Sequence, residues 1–150
     1  MSDLLNRSLI DLDLTSREKK AVTERLADLL LKDGRIADKK DFLEDVWRRE
    51  TVSSTDTGIG VAIPHGRSSA VIRTSVAIGR HPDGVVWDDE PVQAVILLAV
   101  NDDPEGLRHL ALIAEISTML MDEEFLEVLF KKESAQGLVE EIEKRLEENK

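Results

Sequence analysis

A histidine that follows a short apolar run is the residue best suited to chemistry in this chain. His65 comes directly after Gly58-Ile59-Gly60-Val61-Ala62-Ile63-Pro64, and Gly66 follows it. Pro64 fixes its own φ and favours extended backbone at Ile63, so the run predicts a strand that stops before His65. Gly66 has no side chain, which leaves room for the backbone of another molecule to approach the imidazole ring. The pattern therefore predicts a docking geometry around His65.

Four roles are open to an imidazole in this position: nucleophile, general base, metal ligand and packed core residue. Histidine titrates near pH 6.5, so at neutral pH a large share is neutral, with one nitrogen able to attack. A lone histidine is more often structural than catalytic. The small residues after His65, which are Ser68, Ser69 and Ala70, favour a functional role.

The composition predicts one globular domain over residues 1–150 and a cytoplasmic location. The chain has 150 residues, of which 41% are hydrophobic, enough to bury a substantial core. Its net charge of −11, without a basic run, argues against nucleic acid and anionic membrane as partners. The lack of cysteine excludes disulfides and thiolate chemistry within the chain. We find no leader sequence and no apolar run long enough to cross a bilayer, so we expect no membrane insertion.

Strand signals concentrate in the middle of the sequence. Residues 4–14 end in an alternation of apolar and acidic side chains, which predicts a short half-buried strand. Residues 74–79 and 85–87 predict two more strands, separated by a turn at Pro82-Asp83-Gly84. Residues 92–100 are almost all apolar, which is typical of a strand buried on both faces at the centre of a sheet.

Helix signals lie on both sides of these strands. The sequence Thr15-Ser16-Arg17-Glu18 predicts a capping box for a helix that Gly34 ends. Asp38 predicts the start of a second helix that reaches about Arg49. Three further helices are predicted, with caps at Asp103-Pro104, Asp122 and Ser134, and the first of them has Leu107, Leu110, Ala111, Ala114 and Ser117 on one face. This order predicts an α/β fold, a single domain in which a mixed β-sheet is flanked by helices on both faces.

Several common site chemistries do not fit. The Gly58-x-Gly60 pattern has Ile63 where the dinucleotide fingerprint requires a small residue, and the chain contains neither a P-loop nor a Gly-x-Ser-x-Gly elbow. His65, His81 and His109 show no short metal-binding spacing. A metal site built from His65, His109 and a distant carboxylate stays open as a weak alternative, and we predict no metal and no cofactor.

A histidine that carries a phosphoryl group fits the residues better. Phosphoryl transfer mainly requires in-line positioning and neutralisation of the charge on oxygen. The accepting nitrogen must be unprotonated, and the other ring nitrogen must be held by a hydrogen-bond acceptor. By residue type, the candidates for contacts to the phosphoryl oxygens are Arg49, His109, Ser54 and Thr55.

The same residues carry a resemblance to a known family. Arg49-Glu50, Ser54-Thr55 and the run from Gly58 to Gly66 resemble the active-site signature of bacterial phosphotransferase-system enzyme IIA components of the mannitol, fructose and nitrogen-regulatory type. The resemblance continues through residues 83–92 to His109-Leu110, so it extends over nearly the whole chain. It implies the mannitol-type enzyme IIA fold.

The resemblance also implies a function and its partners. His65 would accept a phosphoryl group from an HPr-type phosphocarrier and pass it to a IIB component on another chain, usually to a cysteine. His109 matches the second active-site histidine of the family, and Arg49 matches an arginine near the site. Ser54, Thr55 and Gly66 match the phosphate-binding loop. For His109 the alternative is a core histidine, for Arg49 a loop-shaping salt bridge, and for the two hydroxyl residues turn formation.

One position departs from the family pattern and keeps a second function open. Many members of the nitrogen-regulatory branch have asparagine where this chain has Ile59, so the branch and the sugar stay unassigned. The alternative is a regulatory module, in which phosphorylation of His65 switches binding to a protein target. His81 matches no functional position of the family, and we expect it to be exposed.

Overall fold

The polypeptide forms one mixed sheet with helices on both of its faces. The computed structural model describes residues 4–88, 90–102 and 107–148, and the side chains of residues 107–110 and 148 lie outside this description. The elements in chain order are a 3₁₀ turn Arg7–Leu9, β1 Ile10–Asp11, α1 Lys19–Lys32, α2 Lys39–Val52, β2 Val61–Ala62, β3 His65–Ser68, β4 Ser75–Trp87, β5 Glu90–Asn101, α3 Leu107–Leu120, α4 Glu123–Lys131 and α5 Ala135–Glu148.

Strand β5 is the centre of the sheet, as its apolar sequence predicts. It pairs with β4 in antiparallel orientation, and with β2 and β3 in parallel orientation on its other side. The short β1 pairs in parallel with the outer side of β4. The apolar side chains of β5 are almost completely buried, because helices cover both of its faces.

The two faces of the sheet are covered by different helices. Gly79 of β4 faces α1, and a Cβ at that position would lie 3.1 Å from Leu26 Cδ2. On the opposite face, apolar residues of β4, β5, α3, α4 and α5 enclose one interior region, which Ile78, Ile96, Leu112, Phe125 and Ile142 help to line. The predicted α/β class and the two helical layers are confirmed.

Strand β4 is longer than the sequence predicts. The segment Pro82-Asp83-Gly84, expected as a turn between two strands, is contained within Ser75–Trp87. The pairing with β5 shifts register there: Arg80 is opposite Ala94 and Val85 is opposite Val92. The additional residues bulge out of the ladder, so the prediction of two separate strands is wrong.

Several predicted ends and faces also change. Helix α1 begins at Lys19, and its N-cap Glu18 makes no side-chain cap bond, so the predicted capping box is wrong. The other predicted caps are confirmed, because the side chains of Asp38, Asp122 and Ser134 each accept a backbone N–H at a helix start. The half-buried strand expected in residues 4–14 is limited to Ile10–Asp11. Asp103-Pro104 lies outside the described residues.

The buried face of α3 differs from the predicted one. Of the predicted α3 face, Ala111, Ala114 and Ser117 are exposed, and the buried residues are Leu112, Ile116, Met119 and Leu120.

Helix α2 packs very closely on β3 at Gly66. A Cβ there would lie 2.9 Å from Val46 Cγ2, 3.1 Å from the Val46 backbone nitrogen and 3.2 Å from Phe42 Cε1. The space that the sequence suggested for an approaching partner is therefore filled by the protein's own helix. Gly66 allows the helix that carries Arg49 and Glu50 to lie against the strand that begins with His65.

We expect Gly66→Ala to lower the free energy of unfolding by about 1–3 kcal/mol, because a methyl group would be forced against the α2 backbone. Denaturant unfolding followed by circular dichroism measures this change. The matched control is Gly137→Ala in α5, where the nearest atom is the flexible end of Lys132, at 2.6 Å. That variant should be unchanged or slightly stabilised, since alanine favours helix. Equal stability of the two variants would contradict the close-packing role of Gly66.

Candidate functional site

A tight hairpin precedes His65 and shapes its surroundings. The Thr57 backbone nitrogen donates to Val61 O at 3.0 Å, and the Ile63 nitrogen donates to Thr55 O at 3.1 Å. Gly58 and Gly60 form the turn with φ values of +83° and +87°, which side-chain-bearing residues rarely adopt. The hairpin brings the polar loop after α2 directly against the segment that leads to His65.

The hairpin ends at a break in the sheet, and His65 lies immediately after it. Strand β2 ends at Ala62 and β3 begins at His65, and both pair with β5. Pro64 has no N–H, yet its carbonyl still accepts from the Leu98 nitrogen at 3.0 Å. His65 is therefore the first residue of a strand, rather than the residue after the end of one.

The structure determines which nitrogen of His65 is available. Nδ1 lies 3.0 Å from the carbonyl oxygen of Ile63, and a carbonyl only accepts, so Nδ1 carries the proton. In the neutral ring the lone pair is then on Nε2, and the side chain is half-buried. This meets the requirement that one ring nitrogen be held by an acceptor while the other is unprotonated.

The hydroxyl groups of the loop bind carboxylates of the chain itself. Thr55 is buried, and its Oγ1 donates to Glu50 Oε1. Ser54 is exposed, its hydroxyl is hydrogen-bonded to Asp88, and its Oγ accepts from the Asp56 nitrogen at 3.2 Å. These contacts hold the loop in shape, which is the turn-forming alternative that the sequence left open for both residues.

An ionic cluster underneath this loop was not predicted from the sequence. Lys19 Nζ donates to Glu50 Oε2 at 2.9 Å and to Asp88 Oδ1 at 2.8 Å. The Glu50 side chain is only 4% exposed, and Lys19 also lies 4.8 Å from the centre of the Trp87 ring. The cluster joins the start of α1, the end of α2 and the end of β4. No local sequence pattern indicates it, because its members are far apart in the chain.

The cluster shifts the pKa values of two of its members. Burial lowers the pKa of Lys19, but the hydrogen bonds and charges of Asp88 and Glu50 outweigh that effect and leave the Lys19 pKa above its usual value. The hydrogen bonds from Lys19 and Ser54 lower the pKa of Asp88. Both members of the pair are therefore charged at neutral pH.

The arginine predicted near the site has a structural contact. Arg49 Nη1 donates to the carbonyl oxygen of Ser53 at 2.9 Å, which closes the C-terminal end of α2. The loop-shaping role suggested for Arg49 is therefore present as a hydrogen bond to the backbone. A guanidinium group has five N–H donors in all, so this contact leaves donor capacity for other acceptors.

The other two histidines differ in what the structure describes. His109 belongs to the first turn of α3, and its side chain lies outside the described part. His81 is half-buried rather than exposed, and its Nδ1 accepts from the Asp83 nitrogen at 3.0 Å.

Among the residues described with side chains, no group of three His, Asp or Glu residues is arranged to hold a metal ion. Within the described ranges, no helix is both long and apolar enough to span a bilayer.

The fold and the site define an α/β domain that presents a histidine at a break in the edge of its sheet. The sequence pattern of the family described as "Phosphoenolpyruvate-dependent sugar phosphotransferase system, EIIA 2" matches residues 3–145. The chain therefore belongs to this enzyme IIA family, and the resemblance recognised in the sequence is confirmed.

Individual relatives agree with this assignment. The chain is 33% identical over 145 residues to the PTS system fructose-specific EIIABC component of Bacillus subtilis, covering 95% of this chain and 23% of that protein. It is 31% identical over 139 residues to the PTS system fructose-specific EIIA component of Haloferax volcanii, covering 91% and 90% of the two chains. The crystal structure of nitrogen regulatory protein IIA-Ntr from Neisseria meningitidis superposes with a TM-score of 0.81 at 30% identity, covering 96% and 97%. The first curated relatives are much longer, since this chain spans 23% or less of their length.

The contact between Lys19 and Asp88 predicts a pH-dependent contribution to stability. Because folding lowers the pKa of Asp88, the ionised carboxylate stabilises the fold above its unfolded-state pKa of about 3.8. This contribution disappears as the pH falls through the lower folded-state pKa. We expect Asp88→Asn to melt below wild type at pH 7, by a difference that shrinks towards zero under strongly acidic conditions.

Calorimetry from about pH 2.5 to pH 7 measures this difference across the unfolded-state pKa. Asparagine tolerates the φ of +57° at position 88, so the substitution tests the charge rather than the backbone. Glu44→Gln, an exposed position on α2, corrects for the loss of one surface charge. A difference that is as large in acid as at pH 7 would rule out the ionic contribution.

Proposed function

We propose that this protein is a cytoplasmic phosphocarrier of the phosphoenolpyruvate-dependent phosphotransferase system, with Nε2 of His65 as the phosphoryl acceptor. The donor is an HPr-type carrier that bears a phosphohistidine. The observation that carries the proposal is the 3.0 Å contact from His65 Nδ1 to the Ile63 carbonyl. It keeps the proton on Nδ1 and the lone pair on Nε2, as an attacking imidazole requires.

The transfer step needs little chemistry from the protein beyond this contact. The Nε2 lone pair forms a bond to the donor's phosphorus while the donor's N–P bond breaks, and that electron pair returns to the donor ring. The His65 ring then carries a proton on Nδ1, a phosphoryl group on Nε2 and a positive charge. The Ile63 carbonyl dipole is already directed at the ring and stabilises that charge without rearranging.

The other requirement is neutralisation of the negative charge on the oxygens of the transferring phosphoryl group. We propose that Arg49 donates to them, since its guanidinium can make bidentate contacts to phosphate in addition to its bond to Ser53 O. For His109 we propose a similar role, supported by its match to the family's second active-site histidine. Ser54, Thr55 and Gly66 contribute by shaping the loop and the packing under His65.

The recipient in this proposal is a IIB component. The relative from Bacillus subtilis is named as an EIIABC component, so its A, B and C parts belong to one protein. The present chain contains no cysteine, so a cysteine acceptor of the IIB type must come from elsewhere. Two relatives are named fructose-specific, which makes fructose the first sugar to test.

We expect wild-type protein to gain the mass of one acid-labile phosphoryl group when incubated with phosphoenolpyruvate, enzyme I and HPr. His65→Ala should gain none, because the acceptor nitrogen is absent. Intact-mass analysis measures both, and nuclear magnetic resonance of the phosphorylated protein should place the group on Nε2. Normal labelling of His65→Ala would refute the proposal.

Two further variants make this assay specific. His81→Ala removes a half-buried histidine outside the proposed site and should be labelled like wild type. His109→Ala should be labelled more slowly but completely, because His109 assists and does not accept. An unchanged rate for His109→Ala would assign that residue a structural role.

The nitrogen-regulatory function is a second candidate, favoured by the structural similarity to IIA-Ntr at a TM-score of 0.81. Ile59 is 43% exposed and Val52 is 79% exposed, and both flank the loop before His65. A doubly charged group near such apolar surface changes which partner can dock there. In this reading the phosphorylation state is the signal, and no sugar is transported.

Capture experiments with phosphorylated and unphosphorylated protein separate the two functions. Transfer of the label from His65 to a cysteine of a purified fructose-type IIB domain supports the carrier. If the label does not transfer to IIB, and a regulatory target binds only one phosphorylation state, the regulatory function is favoured. The His65→Ala variant serves as the permanently unphosphorylated control.

A further inference from the structure

A continuous chain of hydrogen bonds connects the buried ionic cluster to the ring of His65. Lys19 Nζ donates to Glu50 Oε2 at 2.9 Å, and Thr55 Oγ1 donates to the other oxygen of the same carboxylate. The carbonyl of Thr55 accepts from the Ile63 nitrogen at 3.1 Å. The carbonyl of Ile63 then accepts from His65 Nδ1 at 3.0 Å.

We propose that Lys19 and Glu50 are positioning residues that set the tautomer and orientation of the His65 imidazole through Thr55 and Ile63. Lys19 and Glu50 bind Asp88 and Thr55, and the ring is held by the Ile63 carbonyl, so their effect passes through the loop. The inference rests on the proposed function only in that Nε2 is taken as the phosphoryl acceptor. The positioning itself is a property of the unphosphorylated protein.

Glu50 fixes the loop because both of its oxygens are engaged inside the protein. A carboxylate that is 4% exposed requires a cation and hydrogen bonds to remain charged there. Lys19 supplies the cation. Its ammonium is held in place by a second contact, from Nζ to Asp88 Oδ1 at 2.8 Å. With one oxygen bound to Lys19, the other oxygen accepts from the Thr55 hydroxyl. An amide at position 50 has a single oxygen and cannot accept from both Lys19 and Thr55 in their present positions, and without the Lys19 ammonium the carboxylate loses the partner that fixes its plane. Either change loosens the hold on Thr55.

Thr55 in turn controls the carbonyl that holds His65. The backbone of Ile63 makes hydrogen bonds in both directions: its nitrogen donates to the Thr55 carbonyl, and its carbonyl accepts from Nδ1 of the His65 ring. If Thr55 moves, the Ile63 carbonyl rotates away and no longer favours the proton on Nδ1. The tautomer with the proton on Nε2 becomes populated, and that form has no lone pair on Nε2 with which to attack.

The test uses the full chain with ¹⁵N-labelled histidine and the variants Lys19→Met and Glu50→Gln. The ring nitrogen shifts of His65 report the tautomer directly. We expect wild type to show the proton on Nδ1 and both variants to show a mixture of tautomers. Phosphoryl labelling by HPr should slow by roughly tenfold or more, given that a misplacement of about 1 Å can cost on the order of 100-fold in rate.

A matched control and a double variant distinguish positioning from general damage. Lys20→Met removes the neighbouring exposed lysine and should leave both the tautomer and the rate unchanged. The double variant Lys19→Met/Glu50→Gln should be no slower than the slower single variant, because both act through one chain of contacts. Circular dichroism confirms that each variant is folded, and Glu50→Gln preserves side-chain volume should Lys19→Met be unstable.

Any one of three results overturns the proposal. A wild-type-like tautomer in folded Lys19→Met and Glu50→Gln rules out positioning, whether or not the rate falls. Multiplicative rate losses in the double variant would show independent effects, and an unfolded Glu50→Gln would show a purely structural carboxylate. If wild type itself accepts no phosphoryl group, the proposed function fails, while the tautomer measurement still tests the positioning.

Discussion

The interruption of the sheet edge at Ile63–Pro64 is the constraint on which the site depends. A proline cannot donate to a neighbouring strand, so the parallel partner of β5 is divided into two short pieces, β2 and β3. At the interruption the Ile63 carbonyl accepts from the His65 side chain. The imidazole therefore acquires a fixed backbone acceptor, which an uninterrupted strand would use for pairing.

Helix α2 packs closely against β3 and so supports the sheet at this interruption. Gly66 admits α2 to within van der Waals contact of β3, and the end of the same helix supplies Glu50 and Arg49. The helix thus carries both the buried carboxylate that anchors the loop and the guanidinium that closes it. Fold and site are stabilised by the same contacts, which explains why a residue that looked like a docking feature is a packing residue.

The sequence predicted those parts of the structure that depend on local patterns. The continuous apolar run placed β5 at the centre of the sheet, and Asp38, Asp122 and Ser134 marked helix starts, because side-chain caps act within a few residues. The predicted role of His65 depended on one contiguous motif. The bulge in β4 was missed because Pro82-Asp83-Gly84 has the composition of a turn, whereas the pairing with β5 carries the strand through it.

The contacts that hold the loop before His65 could not be predicted from the sequence, because they join residues that are far apart in the chain. Lys19 lies in α1, Glu50 in α2 and Asp88 directly after β4, and nothing in their immediate neighbours indicates that they meet. The same reason explains Thr55, a candidate for phosphate contact by residue type, whose bond to the distant carboxylate of Glu50 no local pattern indicates. Hydrophobic periodicity identifies layers of structure, but it does not specify which polar side chains meet beneath a loop.

The salt bridges of Lys19 also determine how the surface around His65 can move. They tie the first turn of α1 to the end of α2 and to the end of β4, so the loop cannot swing outward without breaking contacts in all three elements. A segment anchored in this way opens only together with a larger cooperative part of the protein. The loop before His65 is therefore a pre-shaped part of the surface rather than a hinged flap.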